Sequence, residues 1–229
     1  MKTSRVLILL CLFSGAFLPA LHLRAQSVLV PVTTTRGMVF DYTGQYLYLA
    51  TSTGLVDPYN LSTGIIEMPF NLGGSLNGID IARNGSFLLI AQGTAGISQG
   101  TFYKLDLSSS AVTNINYTKA SGETGAWDVA IASNGLALVT TQFGGSGWTP
   151  LRQIDLTTNA ISTRSDAPAS GPGGTVRQNT QIHHSADGTR LYFLESNISS
   201  GPILPTAPPP ILSGRLRKRI FLAIRPARP

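Results

Sequence analysis

The side chains best suited to bind a ligand recur at similar distances before the glycine-containing turns of this 229-residue chain. They are Asn77, Asp128, Gln181 and His183. Carboxylate, amide and carbonyl oxygens are the ligands that Ca²⁺ prefers in proteins. The set therefore raises the hypothesis of a divalent cation, with calcium as the cofactor, and leaves the metal ligands unassigned. The other interpretation is that Asp128 and Asn77 cap strand ends and that Asp80 accepts hydrogen bonds from backbone amides.

The sequence contains no recognisable set of catalytic residues. Serines are numerous, but no Ser-His-Asp order typical of hydrolases can be identified. The single cysteine, Cys11, lies in the apolar N-terminal run, so the rest of the chain has no thiol for catalysis, disulfides or metal binding. His183 and His184 are adjacent, and neighbours on one strand point to opposite faces, so they do not readily share a metal. These observations favour a non-enzymatic protein.

The elements that position these residues are short strands around repeated turns. The turn glycines are Gly44, Gly85, Gly135 and Gly188, which lie 41, 50 and 53 residues apart. Asn-Gly and Asp-Gly pairs supply the positive φ values that tight hairpins require. A β-like run lies on each side of every turn, and the run after the turn is apolar on both faces. That pattern indicates strands covered on both sides.

A second hairpin follows in three of the units and is marked by Asn60, Asp106 or Asp155 before a polar pair. Each unit therefore contains four short strands, the signature of a β-propeller blade. The predicted blades are residues 37–75, 76–125, 126–174 and a partial blade at 175–202. We expect an all-β protein, a β-propeller of four-stranded antiparallel blades with about three and a half blades present. Another antiparallel β domain is the alternative.

The repeat resembles known propeller families over about residues 37–200. The resembling features are the x-Asn/Asp-Gly turn, the Leu-Tyr-Leu/Phe strand after it and the Asp-Leu-(Ser/Thr)-(Ser/Thr)-x-x-Ile/Val hairpin. They resemble the YVTN-type and lactonase-like propellers, within the wider architecture that WD repeats share. For a lactonase-like protein, the resemblance implies a divalent cation at the central channel, near Asn77 and Asp128.

The charge of the chain is unevenly distributed. The formal net charge of +6 comes from 17 Lys and Arg against 11 Asp and Glu. Residues 26–200 carry all 11 acids and only eight basic residues, which gives this body a net charge of −3. An acidic body disfavours nucleic acid as a partner.

The N-terminus predicts export. A basic start is followed by the apolar run Val6 to Leu18 and then by Leu23-Arg24-Ala25, which is typical of a signal peptide over residues 1–25. No other segment is apolar and long enough to span a membrane. We therefore expect a secreted or periplasmic protein in which residues 26–36 lead into the first blade.

The C-terminal residues 203–229 interrupt the repeat. Three consecutive prolines, Pro208 to Pro210, cannot lie inside a sheet, and the remainder is rich in arginine. The segment is a frame-shifted or truncated end, a disordered linker, or a short basic amphipathic helix. On the first interpretation the chain is a fragment, because three and a half blades do not close a ring. Its open blade faces would then favour self-association.

The function that these features favour is an exported, non-enzymatic binding or scaffold module at the cell surface or in the periplasm. The alternative is a lactonase-like hydrolase that uses a channel cation. A carbohydrate or protein ligand would stack on aromatic rings. The candidate rings are Trp127, Trp148, Tyr103 and Tyr117. Packing in the core or in loops is the more common fate of such residues.

Overall fold

Strands dominate the part of the chain that this computed structural model describes, which is residues 29–94, 96–166, 174–195 and 219–221. The chain divides into two units, Met1–Pro31 and Val32–Pro229. The predicted signal peptide and most of the predicted tail lie outside the described residues. Within the described residues, no helix has the length and apolarity needed to cross a membrane.

The first sheet, blade 1, is antiparallel and has a broken outer strand. It contains β1 (Thr35–Phe40), β2 (Tyr46–Thr51), β3 (Leu55–Asn60), β4 (Ile65–Ile66) and β5 (Phe70–Asn71). The strands β1 to β4 pair in chain order, and β5 also pairs with β3. The fourth strand of the blade is therefore made of two short pieces.

Two further sheets have four antiparallel strands each. Blade 2 contains β6 (Leu76–Ile81), β7 (Phe87–Gln92), β8 (Gln99–Asp106) and β9 (Val112–Thr118). Blade 3 contains β10 (Glu123–Ile131), β11 (Leu136–Phe143), β13 (Arg152–Asp155) and β14 (Ile161–Thr163). A separate two-stranded ribbon pairs β12 (Trp148–Pro150) with β15 (Thr175–Arg177).

The fourth sheet, blade 4, has three described strands. They are β16 (Gln181–His184), β17 (Leu191–Glu195) and β18 (Arg219–Phe221). The tail was expected to be irregular, yet its residues 219–221 pair with β17 and occupy the place of a third strand. The physical reason is that the outer edge of β17 presents backbone groups that need partners.

The architecture confirms the predicted fold class. The described part of the chain is all-β, and its antiparallel four-stranded sheets are blade-like, as in a propeller, without being closed into a ring. Apolar side chains fill the spaces between successive blades. Tyr48 and Ile79 belong to the cluster between blades 1 and 2, Leu89 and Val129 to the next, and Phe193 to the last. Strands apolar on both faces are thus covered on both faces, as their sequence predicts.

The repeated turns have the predicted geometry. Gly85 has a φ of +71°, which is the left-handed region that glycine adopts without strain. The Asn84 Oδ1 atom accepts a 3.1 Å hydrogen bond from the backbone N–H of Ser86 and so fixes the turn. The second hairpins use the same device, since Asp106 Oδ1 accepts from the backbone N–H of Ser108 at 3.0 Å.

A buried ion pair within blade 3 also contacts blade 2. The Arg152 guanidinium donates to both carboxylate oxygens of Glu123, at 2.7 and 2.8 Å, and both side chains are almost fully buried. Arg152 also donates to the carbonyl oxygen of Thr118 on β9 and lies 4.6 Å from the ring centroid of Tyr117. Each charge depends on the other, because an unpaired buried charge is strongly destabilising.

The inner strands of neighbouring blades approach so closely that glycine is required. A Cβ atom on Gly37 would lie 2.5 Å from the carbonyl oxygen of Asn77. A Cβ atom on Gly78 would overlap the Asp128 carboxylate and lie 2.7 Å from the Asp128 Cα. Because the second contact involves backbone as well as side chain, the neighbouring strand cannot simply turn its side chain away.

We expect Gly78→Ala to destabilise the protein by about 1–3 kcal/mol, the usual cost of overpacking. The matched control is Gly96→Ala, whose added Cβ would meet nothing closer than the Gln99 carbonyl oxygen at 3.7 Å. That control should stay within about 0.5 kcal/mol of the parent. Urea unfolding of the two variants provides the measurement, and equal stabilities would contradict the close approach of the inner strands.

Candidate functional site

The four innermost strands lie side by side and line one cavity of about 650 Å³. The strand β6 contacts β1 on one side and β10 on the other, and β10 contacts β16. The cavity is lined by all four sequence-predicted candidates, Asn77, Asp128, Gln181 and His183. Alignment of the units on their turn glycines therefore predicted correctly that the four residues lie near one another.

The Asp80 carboxylate connects blade 2 to blade 3. Its Oδ1 atom accepts a hydrogen bond from the N–H of Ile81 at 2.8 Å, and its Oδ2 atom accepts from the N–H of Ile131 at 2.7 Å. Asp80 is buried, at 4% exposure. Both oxygens are thus occupied by backbone amides, which is the structural role that the sequence offered as the alternative to cation binding.

The Asp128 carboxylate repeats this arrangement between blades 3 and 4. Its Oδ1 atom accepts from the N–H of Val129 at 3.0 Å, and its Oδ2 atom accepts from the N–H of Ile182 at 2.8 Å. Burial raises the pKa of Asp128 to about 7, although the two N–H donors partly oppose that rise, and the charge of Asp80 adds to it. Near neutral pH, Asp128 therefore exchanges between its charged and neutral forms.

Asn77 makes a third contact between inner strands. Its amide nitrogen donates to the carbonyl oxygen of Ala126 at 2.8 Å, and the side chain is buried. A Cβ atom on Gly93 would lie 2.5 Å from the same amide nitrogen. Asn77 thus links β6 to the middle of β10, which is a structural role but not a cap at a strand end.

His184 is a cavity residue whose partner the sequence did not reveal. Its Nε2 atom lies 3.4 Å from the Asp80 Oδ1 atom, and its Nδ1 atom lies 3.0 Å from the carbonyl oxygen of Ser185. Because both neighbours are acceptors, the doubly protonated ring is favoured. Asp80 raises the pKa of His184 to about 9, against an opposing effect of burial and of the Arg83 charge. The ring is therefore a cation at neutral pH.

Exposed polar side chains surround this buried layer. Gln181, His183 and Arg36 line the cavity and are exposed, and Trp127 lines it while half-buried. They are the groups that a bound molecule would meet first. The cavity thus combines a structural layer of carboxylates with an accessible layer of amide, imidazole, guanidinium and indole groups.

The other aromatic residues lie elsewhere. Tyr103 and Tyr117 pack in the core, the more common fate expected for such residues: they are 7% and 4% exposed and belong to the clusters between blades. The reason is that their strands are covered on both faces. Trp148 stacks with the Arg177 guanidinium, which lies 5.4 Å from the ring centroid. Of the four candidates, Trp127 alone lines the cavity.

The oxygen atoms that line the cavity determine whether it could hold calcium. Among the described residues, no group of three or more His, Cys, Asp or Glu side chains is arranged to hold a metal ion. The two cavity carboxylates already accept two backbone N–H groups each. Calcium requires six to eight oxygen ligands, and the residues present do not fit that requirement.

The comparisons with known proteins concern the fold. No protein-family model matches the chain, and no curated protein matches it. Among solved structures, the chain is similar to hydrazine synthase from Kuenenia stuttgartiensis, a β-propeller-containing protein, with a TM-score of 0.56 and 13% sequence identity. The match covers 74% of this chain and 46% of that protein. The chain thus spans less than half of that protein's length, and the likeness supports a propeller-like fold.

We expect the stability of the protein to fall as the pH rises from about 6.5 to 9. Because the folded-state pKa of His184 lies above the ordinary value of 6.5, its contribution is complete below that value and is lost as the pH passes about 9. His184→Gln should flatten the profile of melting temperature against pH above about pH 8, where Asp128, with a pKa of about 7, is largely ionised. His183→Gln should keep the parent profile. A parent profile that is flat between pH 6.5 and 9 would rule out the contact between His184 and Asp80.

Proposed function

We propose that the protein is an exported propeller of the YVTN type that acts as a non-enzymatic binding module. The single observation that supports a binding role most strongly is the cavity of about 650 Å³ between the inner strands. Cavities of roughly 300–1,000 Å³ are the usual size of ligand sites. The N-terminal sequence supports export.

The chemistry of the cavity favours binding over catalysis. A general acid or base must be within reach of the proton that it transfers, but the oxygens of Asp80 and Asp128 are turned toward backbone amides. His184 is held as a cation against Asp80. The titratable groups of this layer therefore serve to position strands.

The ligand class that fits the accessible layer is a saccharide unit. Trp127 offers an aromatic face for the apolar side of a sugar ring. Gln181 supplies an amide with both donors and an acceptor, and Arg36 supplies further donors, which suits neighbouring hydroxyl groups. A loop of a partner protein is the other ligand that these groups would accommodate.

Binding is tested with soluble sugars, namely glucose, galactose, mannose, N-acetylglucosamine and their oligomers. We expect one of them to change the fluorescence of Trp127 and to bind in calorimetry. Gln181→Ala should weaken that binding at least tenfold, and Gln99→Ala, an exposed glutamine on β8, should leave it unchanged. The mass of each variant in solution is measured in parallel, so that a change of assembly is not mistaken for lost binding.

The proposal of saccharide binding fails if none of these sugars binds at millimolar concentration. It also fails if Gln181→Ala and Gln99→Ala behave alike, because the site would then lie elsewhere.

A lactonase-like hydrolase with a channel cation is the alternative function. The two hypotheses differ in their response to calcium, since a bound ion stabilises the folded state by mass action. We expect the melting temperature to be the same, within about 1 °C, in millimolar calcium and in chelator, because Asp80 and Asp128 already have backbone partners. A rise of several degrees with calcium would favour the hydrolase instead.

A further inference from the structure

The innermost strand of blade 1 carries an apolar strip that faces no other blade among the described residues. The strip consists of Met38 and Phe40, which are 66% and 57% exposed. Tyr42 follows the strand and lies beside Arg83 of blade 2 instead. Scattered exposed apolar residues are common, but a contiguous strip is typical of a contact site.

The repeat shows what normally covers this strip. Met38 lies six residues before its turn glycine, and Phe40 lies four residues before it. The residues at those two positions in blade 2 are Ile79 and Ile81, which are 7% and 2% exposed. They pack in the cluster that includes Tyr48 of blade 1. The strip of blade 1 therefore has the side chains of an interface between blades.

The contacts between blades show which surface fits the strip. In each case the inner strand of one blade packs on the first strands of the preceding blade: β6 on β1 and β2, β10 on β6, β7 and β8, and β16 on β10 and β11. The strip on β1 thus requires the first strands of a preceding blade. The residues of blade 1 that perform this role for blade 2 include Tyr48 and Ala50, four and six residues after the turn glycine.

Blade 4 presents the matching surface. Tyr192 and Leu194 lie four and six residues after Gly188, which are the positions of Tyr48 and Ala50 in blade 1. Both are only partly buried, whereas Leu191 and Phe193, on the other face of β17, are buried against blade 3. The chain therefore carries both halves of an interface that it already uses three times internally.

The polar contact of Asp128 can be extended in the same way. Asp128 lies seven residues before its turn glycine and accepts from Ile182, which lies six residues before the next one. Gln181 is at the position of Asp128, and Met38 is at the position of Ile182. If blade 1 of another copy packed next to blade 4, its Met38 N–H could therefore donate to the Gln181 amide oxygen.

We propose that two copies of the chain associate head to tail, with blade 4 of each copy packed on blade 1 of the other. Two such contacts related by a two-fold axis close the assembly, and four sheets from each copy give about eight, within the range of known propellers. The cavity then becomes a channel surrounded by inner strands of both copies. This proposal does not depend on the identity of the ligand.

The test is the mass of the purified chain in solution, measured by light scattering at about 50 μM. We expect twice the monomer mass for the parent. Met38→Glu should halve that mass, because it places a charge on the strip. The matched control is Met68→Glu, at a residue of blade 1 that is 88% exposed and outside the strip, and it should remain a dimer. Because Met38 is exposed, its variant is expected to fold, which circular dichroism verifies.

A mixing experiment tests the head-to-tail arrangement. Leu194→Glu should also be a monomer, since it alters the other half of the interface. An equimolar mixture of Met38→Glu and Leu194→Glu retains one intact contact, so it should form a heterodimer. A monomeric parent, a dimeric Met38→Glu, or a mixture that stays monomeric would overturn the proposal. The first outcome would mean that another part of the chain, or another protein, covers the strip.

Discussion

The structure depends on hydrogen bonds by which a carboxylate on one inner strand accepts a backbone N–H of the next inner strand. Asp80 accepts from Ile131 and Asp128 accepts from Ile182, at 2.7 and 2.8 Å. An inner strand has only one paired edge, so N–H groups on its other edge need partners from elsewhere. A buried donor without a partner costs roughly 1–3 kcal/mol. The two carboxylates satisfy these donors and at the same time hold three successive blades in register.

The same bonds determine what the cavity can do. A carboxylate whose two oxygens accept backbone amides is a poor cation ligand and a poorly placed base, so the acidic residues of the cavity act as structural groups. Burial weakens cation binding by Asp128 further, because it raises the pKa to about 7 and so makes the neutral form common near pH 7. His184 is fixed as a cation beside Asp80. In the proposed binding role, the ligand would contact the outer layer, where Gln181 and Trp127 line the cavity.

The sequence was sufficient for the features that depend on local rules. Asn-Gly turns and strands apolar on both faces predicted the blades, and spacing from the turn glycines predicted that Asn77, Asp128, Gln181 and His183 share one cavity. Contacts between distant blades left no local signal. The pair of His184 with Asp80 joins residues more than a hundred positions apart, and the hydrogen bond from Arg152 to the Thr118 carbonyl oxygen depends on how β9 meets blade 3. The strand at residues 219–221 was also missed, because its pairing depends on the edge of β17.

The most direct test of this account is the titration of the Asp128 carboxyl group, followed by nuclear magnetic resonance. If Asp128 is removed from water between blades 3 and 4 and accepts the Ile182 amide, burial should raise the pKa of its carboxyl group to about 7. The Ile182 amide proton should then shift with the same midpoint. An ordinary pKa near 4, with an Ile182 amide that does not respond, would contradict the central claim that the inner-strand carboxylates connect the blades.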